Sequence, residues 1–137
     1  MAWLHATPKP DADSARGRNE ATHVKLSRLE AFRREKIEPP MPPNPAPHIV
    51  ERLLEMGMSQ AAGMGVAPLS WAEIVAWQVA TMVRLAPWEA RLIRRLSSAY
   101  IAEGRAAESE NCPPPWYDGP SQRAIETEQA RLMMVLG

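Results

Sequence analysis

Two helix starts fall within one stretch, Ala67 to Gly104, and they limit the fold of this chain more than any other feature. The first is Ser70, followed three residues later by Glu73. In that capping-box pattern a serine oxygen and a glutamate carboxylate each take a free backbone N–H. Leu69 and Ile74 flank it at the positions of a hydrophobic staple. The periodicity that follows predicts a buried stripe of Trp71, Val75, Val79 and Met82, flanked by Ala72 and Val83. The second start is Pro87, whose missing N–H is no loss at the first helical position, with Glu89 in the first turn. Its stripe is read as Trp88, Leu92, Leu96 and Ala99, with Tyr100 beside it and Gly104 as the C-terminal cap. Few residues around Leu85 separate the helices, so the stripes are expected to face each other in an antiparallel or angled hairpin. Ser70, Trp71, Glu73, Pro87, Trp88 and Tyr100 are the structural residues of that hairpin.

The flanking sequence is punctuated by proline. Residues 1–20 show no periodicity and read as a mobile tail, except for Trp3 and Leu4, which either dock back or engage a partner. Ser27 and Glu30 repeat the capping-box pattern and open a short helix to about Glu38, with Leu29 and Phe32 as its apolar spot. From Pro39 to Pro47 six of nine residues are proline, which excludes helix and central strand and leaves polyproline II geometry. We read this segment as a semi-rigid spacer, the alternative being a ligand for an aromatic groove. Pro47 opens another helix, through Ile49, Val50, Leu53, Leu54 and Met56 to Gly57, expected to pack on the hairpin. Met58 to Val66 reads as a flexible loop; its glycines are followed by no Gly-Lys-Ser/Thr, so it is no phosphate loop. Cys112 to Tyr117 reads as an extended arm carrying two aromatics, and about Ser121 to Leu136 as an amphipathic helix with Ile125, Leu132 and Leu136 in line.

No strand is predicted. The expected fold is all-α: a small helical domain on a central hairpin, with extended Pro-rich arms and a C-terminal amphipathic helix. Residues 1–46 are the N-terminal flexible arm with its short helix and Pro-rich linker, 47–104 the helical core, and 105–137 the extended arm and final helix.

Composition narrows function chiefly by exclusion. Sixteen acidic and sixteen basic residues cancel, which argues against generic nucleic-acid binding. A lone Cys112 forms no internal disulfide, the N-terminus has no apolar core of signal-peptide length, and no apolar run approaches the roughly 18 residues that span a bilayer. A soluble intracellular protein is expected. His5, His23 and His48 lie apart and lack the i,i+4 partner or cysteine neighbour of a metal site. There is no Gly-x-Ser-x-Gly elbow. Neither an enzyme nor a bound cofactor is expected.

Surface for other proteins is what remains. Trp77 lies off the predicted stripe and is either covered by the Ile49–Met56 helix or presented to a partner. Arg91, Arg94 and Arg95 form a basic cluster, either a solvated face or an anchor for an acidic partner helix. With Arg84 and Trp116 these are the candidate protein-binding residues. A tight helical pair bearing arginines is also compatible with a helix-turn-helix DNA-binding regulator. Against that stand a turn without glycine, a neutral chain, and Trp88 where base-reading polar residues belong.

The run PLSWAEIVAWQ…VRLAPWEARLIRRLSSAYIAE resembles the small tail assembly chaperones of long-tailed bacteriophages. These are encoded between the tail-tube and tape-measure genes and are related in role to the paired chaperones of lambda-like phages. The family pattern is LSW-x-E-I-x-A-W, then a helix opened by Leu-x-Pro-Trp-Glu and closing on Leu-x-x-x-Tyr. It falls here on Leu69, Ser70, Trp71, Glu73, Ile74, Ala76 and Trp77, then on Leu85, Pro87, Trp88, Glu89, Leu96 and Tyr100. The blocks SRLEAFRREKIEPPMPPNPAPHIVERLLEMG and CPPPW are similar to versions from transposable, Mu-like siphophages, so the resemblance covers about residues 24–116. One departure is Val83, where many relatives have a glycine near the end of the first hairpin helix.

The resemblance implies a non-enzymatic chaperone of the host bacterial cytoplasm. It would bind the tape-measure protein, and possibly tail-tube subunits, by helix-in-groove contacts. Release requires many modest contacts rather than one deep pocket. Met56, Met58, Met64, Met133 and Met134 suit such adaptable surfaces, while Met82 reads as core filling. A phage or prophage protein that blocks another protein by binding it is a further alternative.

Overall fold

In the computed structural model, which describes residues 1–10, 26–116 and 122–137, six helices and one small β-hairpin follow one another. They are α1 (Ala2–His5), α2 (Arg28–Arg34), α3 (Pro47–Met56), β1 (Gln60–Ala62), β2 (Gly65–Ala67), α4 (Trp71–Thr81), α5 (Pro87–Ala106) and α6 (Gln122–Leu136). The expected all-α class therefore holds only roughly. The loop predicted over Met58–Val66 is instead the turn end of an antiparallel pair, with Gln60 opposite Ala67 and Ala62 opposite Gly65. Gly63 takes the positive φ (58°) that its two-residue connection requires. Three-residue strands built of Gln, Ala, Gly and one Val carry no β-branched run for periodicity to detect.

Capping explains the helix starts. Ser27 and Glu30 form the full reciprocal box at α2. At α4 only half of it forms: Ser70 Oγ accepts from Glu73 N–H at 3.2 Å, but Ser70 N–H donates to Gln60 Oε1 at 3.1 Å. The hairpin has taken the glutamate's place and ties β1 to the start of α4. Pro47 and Pro87 both sit in the first turn of their helices. Glu89 Oε2 accepts from Ala86 N–H at 2.8 Å, satisfying a donor that the helix leaves free. Gly104 caps nothing: α5 runs through it to Ala106. One glycine in a long helix costs only about 1 kcal/mol, too little to stop it.

The main core joins three helices and a staple. Ile49 and Leu53 of α3, Leu69, Ile74 of α4, Leu85, and Ile93 of α5 are buried together, with Trp77, Leu92 and Leu96 packed around them. Leu69 and Ile74 are each 1% exposed, as a hydrophobic staple requires. Ser97 is fully buried among apolar groups because both capacities of its hydroxyl are used. Its Oγ accepts from Leu69 N–H at 2.9 Å and donates to the Met58 carbonyl at 2.7 Å.

A second cluster closes the other end of α5. Trp3, Leu4 and Ala107 are buried with Leu29, Phe32, Cys112 and Trp116 around them. Trp3 therefore docks back onto its own chain, and the part of the predicted tail that lies in residues 1–10 is held rather than loose; residues 11–20 lie outside the described residues. Arg28 makes this docking polar as well as apolar. Its guanidinium donates to the carbonyls of Trp3, Ala107 and Ser109 and lies 4.4 Å from the centre of the Trp3 ring. Trp3 Nε1 donates to the Cys112 carbonyl at 3.0 Å. Burial lowers the Arg28 pKa, opposed by Cys112, but from so high a value that the side chain stays charged.

Candidate functional site

The stripe predicted to be buried on α4 is its outer face. Trp71 is 49% exposed, Val75 54%, Val79 70% and Met82 89%. The buried side of the helix is the one bearing Ile74, with Trp77 packed beside it. The same correction applies to α5. There it is partial: Trp88 is 56% exposed and Ala99 is exposed, Leu92 and Leu96 pack at the edge of the core as expected, and the fully buried line is Ile93, Ser97 and Ile101. The physical reason is the composition of α4. WAEIVAWQVAT is apolar nearly all the way round, so periodicity cannot choose a face. The choice is made by α3, which packs against both α4 and α5.

These side chains form a continuous apolar surface. Trp71, Val75 and Val79 follow i, i+4 and i+8 on one side of α4 over about 12 Å, and Met82 is exposed just past its end. Its border is basic. The Arg94 guanidinium lies 5.4 Å from the centre of the Trp71 ring, a cation–π distance that also spreads the indole against α5. Trp88, Arg91 and Arg95 share a line on α5 at i, i+3 and i+7. Arg84, Arg91, Arg94 and Arg95 are all exposed, and among the described residues none has a carboxylate within ion-pair distance.

Met82, expected as core filling, ends α4 instead. It has the left-handed conformation (φ 58°) that favours glycine. Gln78 Oε1 accepts from Leu85 N–H at 2.9 Å and holds the connection to α5.

Other candidates separate from this face. Trp77 packs inward, and its Nε1 is buried with no hydrogen-bond partner. Trp116 stacks edge-on against Trp3, with ring centres 5.2 Å apart, and lies near Phe32, so its own chain occupies it. Tyr100 donates or accepts a hydrogen bond with His5 Nδ1 at 3.0 Å. Burial, then the chain amino group and Arg33, lower the His5 pKa and keep the ring neutral near pH 7. Glu89 has three partners: it accepts from Ala86 N–H and, at 2.9 Å, from Arg52, with His48 at 3.6 Å. The Ala86 N–H does most to hold its carboxyl below the ordinary range; desolvation opposes this, and Arg52 and His48 add to it.

A shallow cleft of about 420 Å³ lies between α1 and α5, lined by His5, Tyr100, Ile101 and Gly104 among others. Its Lys9 and Glu108 are already paired at 2.8 Å. Among the described residues no group of His, Cys, Asp or Glu is placed to hold a metal, and no helix is long and apolar enough to cross a membrane.

Two contributors were missed by sequence reasoning. Arg28, next to the Ser27 cap, and Ser97, within the second hairpin helix, carry no motif or spacing that singles them out in the sequence. Only the carbonyls of Trp3, Ala107 and Ser109, and of Met58, brought from afar, give them their roles.

Comparison with known proteins bears on the same segment. A family model described as phage tail assembly chaperone matches residues 25–102, which include α2 to α4 and most of α5. No curated protein and no solved structure matches the chain.

Proposed function

The chain belongs to the phage tail assembly chaperone family, and on that footing we propose that it binds the tape-measure protein through the outer face of α4. The tail-tube subunit is the second client on this reading, and the work is done in the host cytoplasm without catalysis. The observation that carries it is the exposed line Trp71, Val75, Val79 and Met82 with Arg94 over Trp71; Arg94 and its α5 neighbours Arg91 and Arg95 have no carboxylate partner among the described residues. An apolar strip of this size, rimmed by charge, is what a protein-binding surface looks like on a small domain.

Such a face suits an amphipathic helix with acidic residues along its edges. The helix would lay its apolar side on Trp71, Val75 and Val79, and its carboxylates would meet Arg84, Arg91, Arg94 and Arg95. Flat, half-exposed contacts of this kind hold a client without a deep pocket, so polymerising tube subunits can displace the chaperone. Tail assembly supplies clients in need of this cover, since a long apolar helical chain must stay unaggregated until the tube encloses it.

The test is co-expression of the tagged chain with the tape-measure and tail-tube proteins. The parent should retain the tape-measure chain, and Val75→Asp with Val79→Asp should lose it while keeping helical circular dichroism. A parent that retains no tape-measure protein overturns the reading. Duplex DNA binding that weakens steeply with salt would put the DNA-binding regulator in its place.

A further inference from the structure

Residues 37–46 cross from α2 to α3 without helix or strand. Residues 40–45 are all exposed, and among the described residues no hydrogen bond ties residues 38–43 to another element. Proline fixes φ at about −65° and keeps the residue before it out of the α region. Glu38, Pro39, Met41 and Pro42 all precede a proline, so the run holds polyproline II geometry. We propose that residues 36–43 are a docking motif for another protein, one whose groove of aromatic rings ends in an acidic rim.

Both ends of the run are clamped. After α2, Lys36 turns the chain in the left-handed conformation (φ 57°), and Ile37 N–H donates to the Phe32 carbonyl at 2.9 Å. Phe32 in turn packs on the cluster around Trp3. Before α3, Asn44 Oδ1 accepts from Ala46 N–H at 3.0 Å, and Ala46 packs on the main core. Spacing is not what the stiffness of the run provides. α2 reaches α5 through α1, and α3 packs on α5 directly, so α5 already sets the distance between the two ends. What the stiffness does provide is a proline ladder held open to solvent in the shape a groove would take, which removes the ordering cost of recognition.

The chemistry of the run specifies the partner. Polyproline II has three residues per turn, so Pro39 and Pro42 line one edge and Pro40 and Pro43 the next. Two adjacent proline edges are what an aromatic groove for Pro-x-x-Pro takes up. Lys36 stands three residues before Pro39, giving Lys-x-x-Pro-x-x-Pro, and so sets the end of the groove at which an acid is required. It is exposed, and among the described residues no carboxylate lies within ion-pair distance of it. Counted in full, residues 33–38 hold Arg33, Arg34 and Lys36 against Glu35 and Glu38, so this end stays positive.

The motif uses no residue of the α4 face, so it stands or falls apart from the tape-measure reading. The probe is a purified SH3 domain of the kind that binds Lys-x-x-Pro-x-x-Pro ligands, titrated with the full chain in a calorimeter. Saturable one-to-one binding is expected. Pro39→Ala with Pro42→Ala should raise the Kd about tenfold or more. Lys36→Gly should raise it about threefold or more while the thermal midpoint holds or rises, because glycine suits the left-handed turn. Lost binding in that variant is therefore not lost fold. Val75→Asp with Val79→Asp should leave the Kd unchanged. A parent chain that does not bind, a Kd that the double proline variant leaves in place, or one that the α4 variant moves as far would each overturn the motif. A Kd indifferent to Lys36→Gly would overturn the acidic rim.

Discussion

The two sides of α4 carry similar residues and do opposite things. Ile74 and Trp77 point to α3 and α5 and belong to the core, whereas Trp71, Val75, Val79 and Met82 point outward. Apolarity on this helix thus marks two surfaces: one the chain satisfies alone, and one it leaves for another polypeptide. The difference between them lies in the neighbours, since the inner side meets α3, whereas the outer side has Arg94 over Trp71.

Substitution should separate the two sides most sharply in stability. Ile74→Ala is expected to cost about 2–4 kcal/mol in urea unfolding, from lost transfer energy and the cavity left behind. Val79→Ala is expected to stay within about 0.5 kcal/mol, as for a surface change. Equal losses would mean that the outer face is core after all. Trp88→Ala falls with the outer group, because its ring is half in solvent.

At the end of the helix Met82 adopts a conformation that costs a side-chain-bearing residue about 1–2 kcal/mol. Met82→Gly should therefore raise the unfolding free energy by about 1 kcal/mol. It sharpens the comparison because the outer face would lose a methionine while the fold gains; unchanged or lower stability would show that Met82 packs. A glycine is common near this place in the chaperones this chain resembles, and the left-handed residue here is Met82, next to the Val83 singled out from sequence.

Acid should act through the frame that orients the faces. The folded Glu89 carboxyl lies below its ordinary value of 4.5, so its contribution is complete above that value and is lost as pH falls through the folded one. Glu30 and Glu108 are lowered as well, by Ser27 and by Lys9. Stability measured by thermal unfolding should fall as pH drops below about 4.5, and Glu89→Gln should flatten part of that slope. An identical slope in the variant would deny Glu89 the role.

The smallest effect is expected at Trp77→Phe. The smaller ring loses packing, but it removes a buried N–H that has no partner, so the net change should be near zero. A loss near that of Ile74→Ala would show that the indole nitrogen finds a partner.

Local chemistry was legible at most helix ends, though Gly104 caps nothing and Glu73 leaves the Ser70 N–H to Gln60. Ser27 and Ser70 capped where a serine three residues before a glutamate caps, Pro47 and Pro87 opened helices, and Gly57 closed one. The final helix lies within a residue of its predicted span, and the LSW and LAPWE blocks identified the family. Several features were not legible. The hairpin over 60–67 depends on Gln60 reaching Ser70, and the held N-terminus on Arg28 reaching three carbonyls.

The sequence by itself determined where α2 to α6 begin, though not α1, and that α4 and α6 are rich in apolar residues, because caps, prolines and composition act within a few residues. Tertiary structure decided which side of α4 is inside. A helix greasy all round has no preferred face until α3 covers one, and the side left over becomes the surface available to a partner.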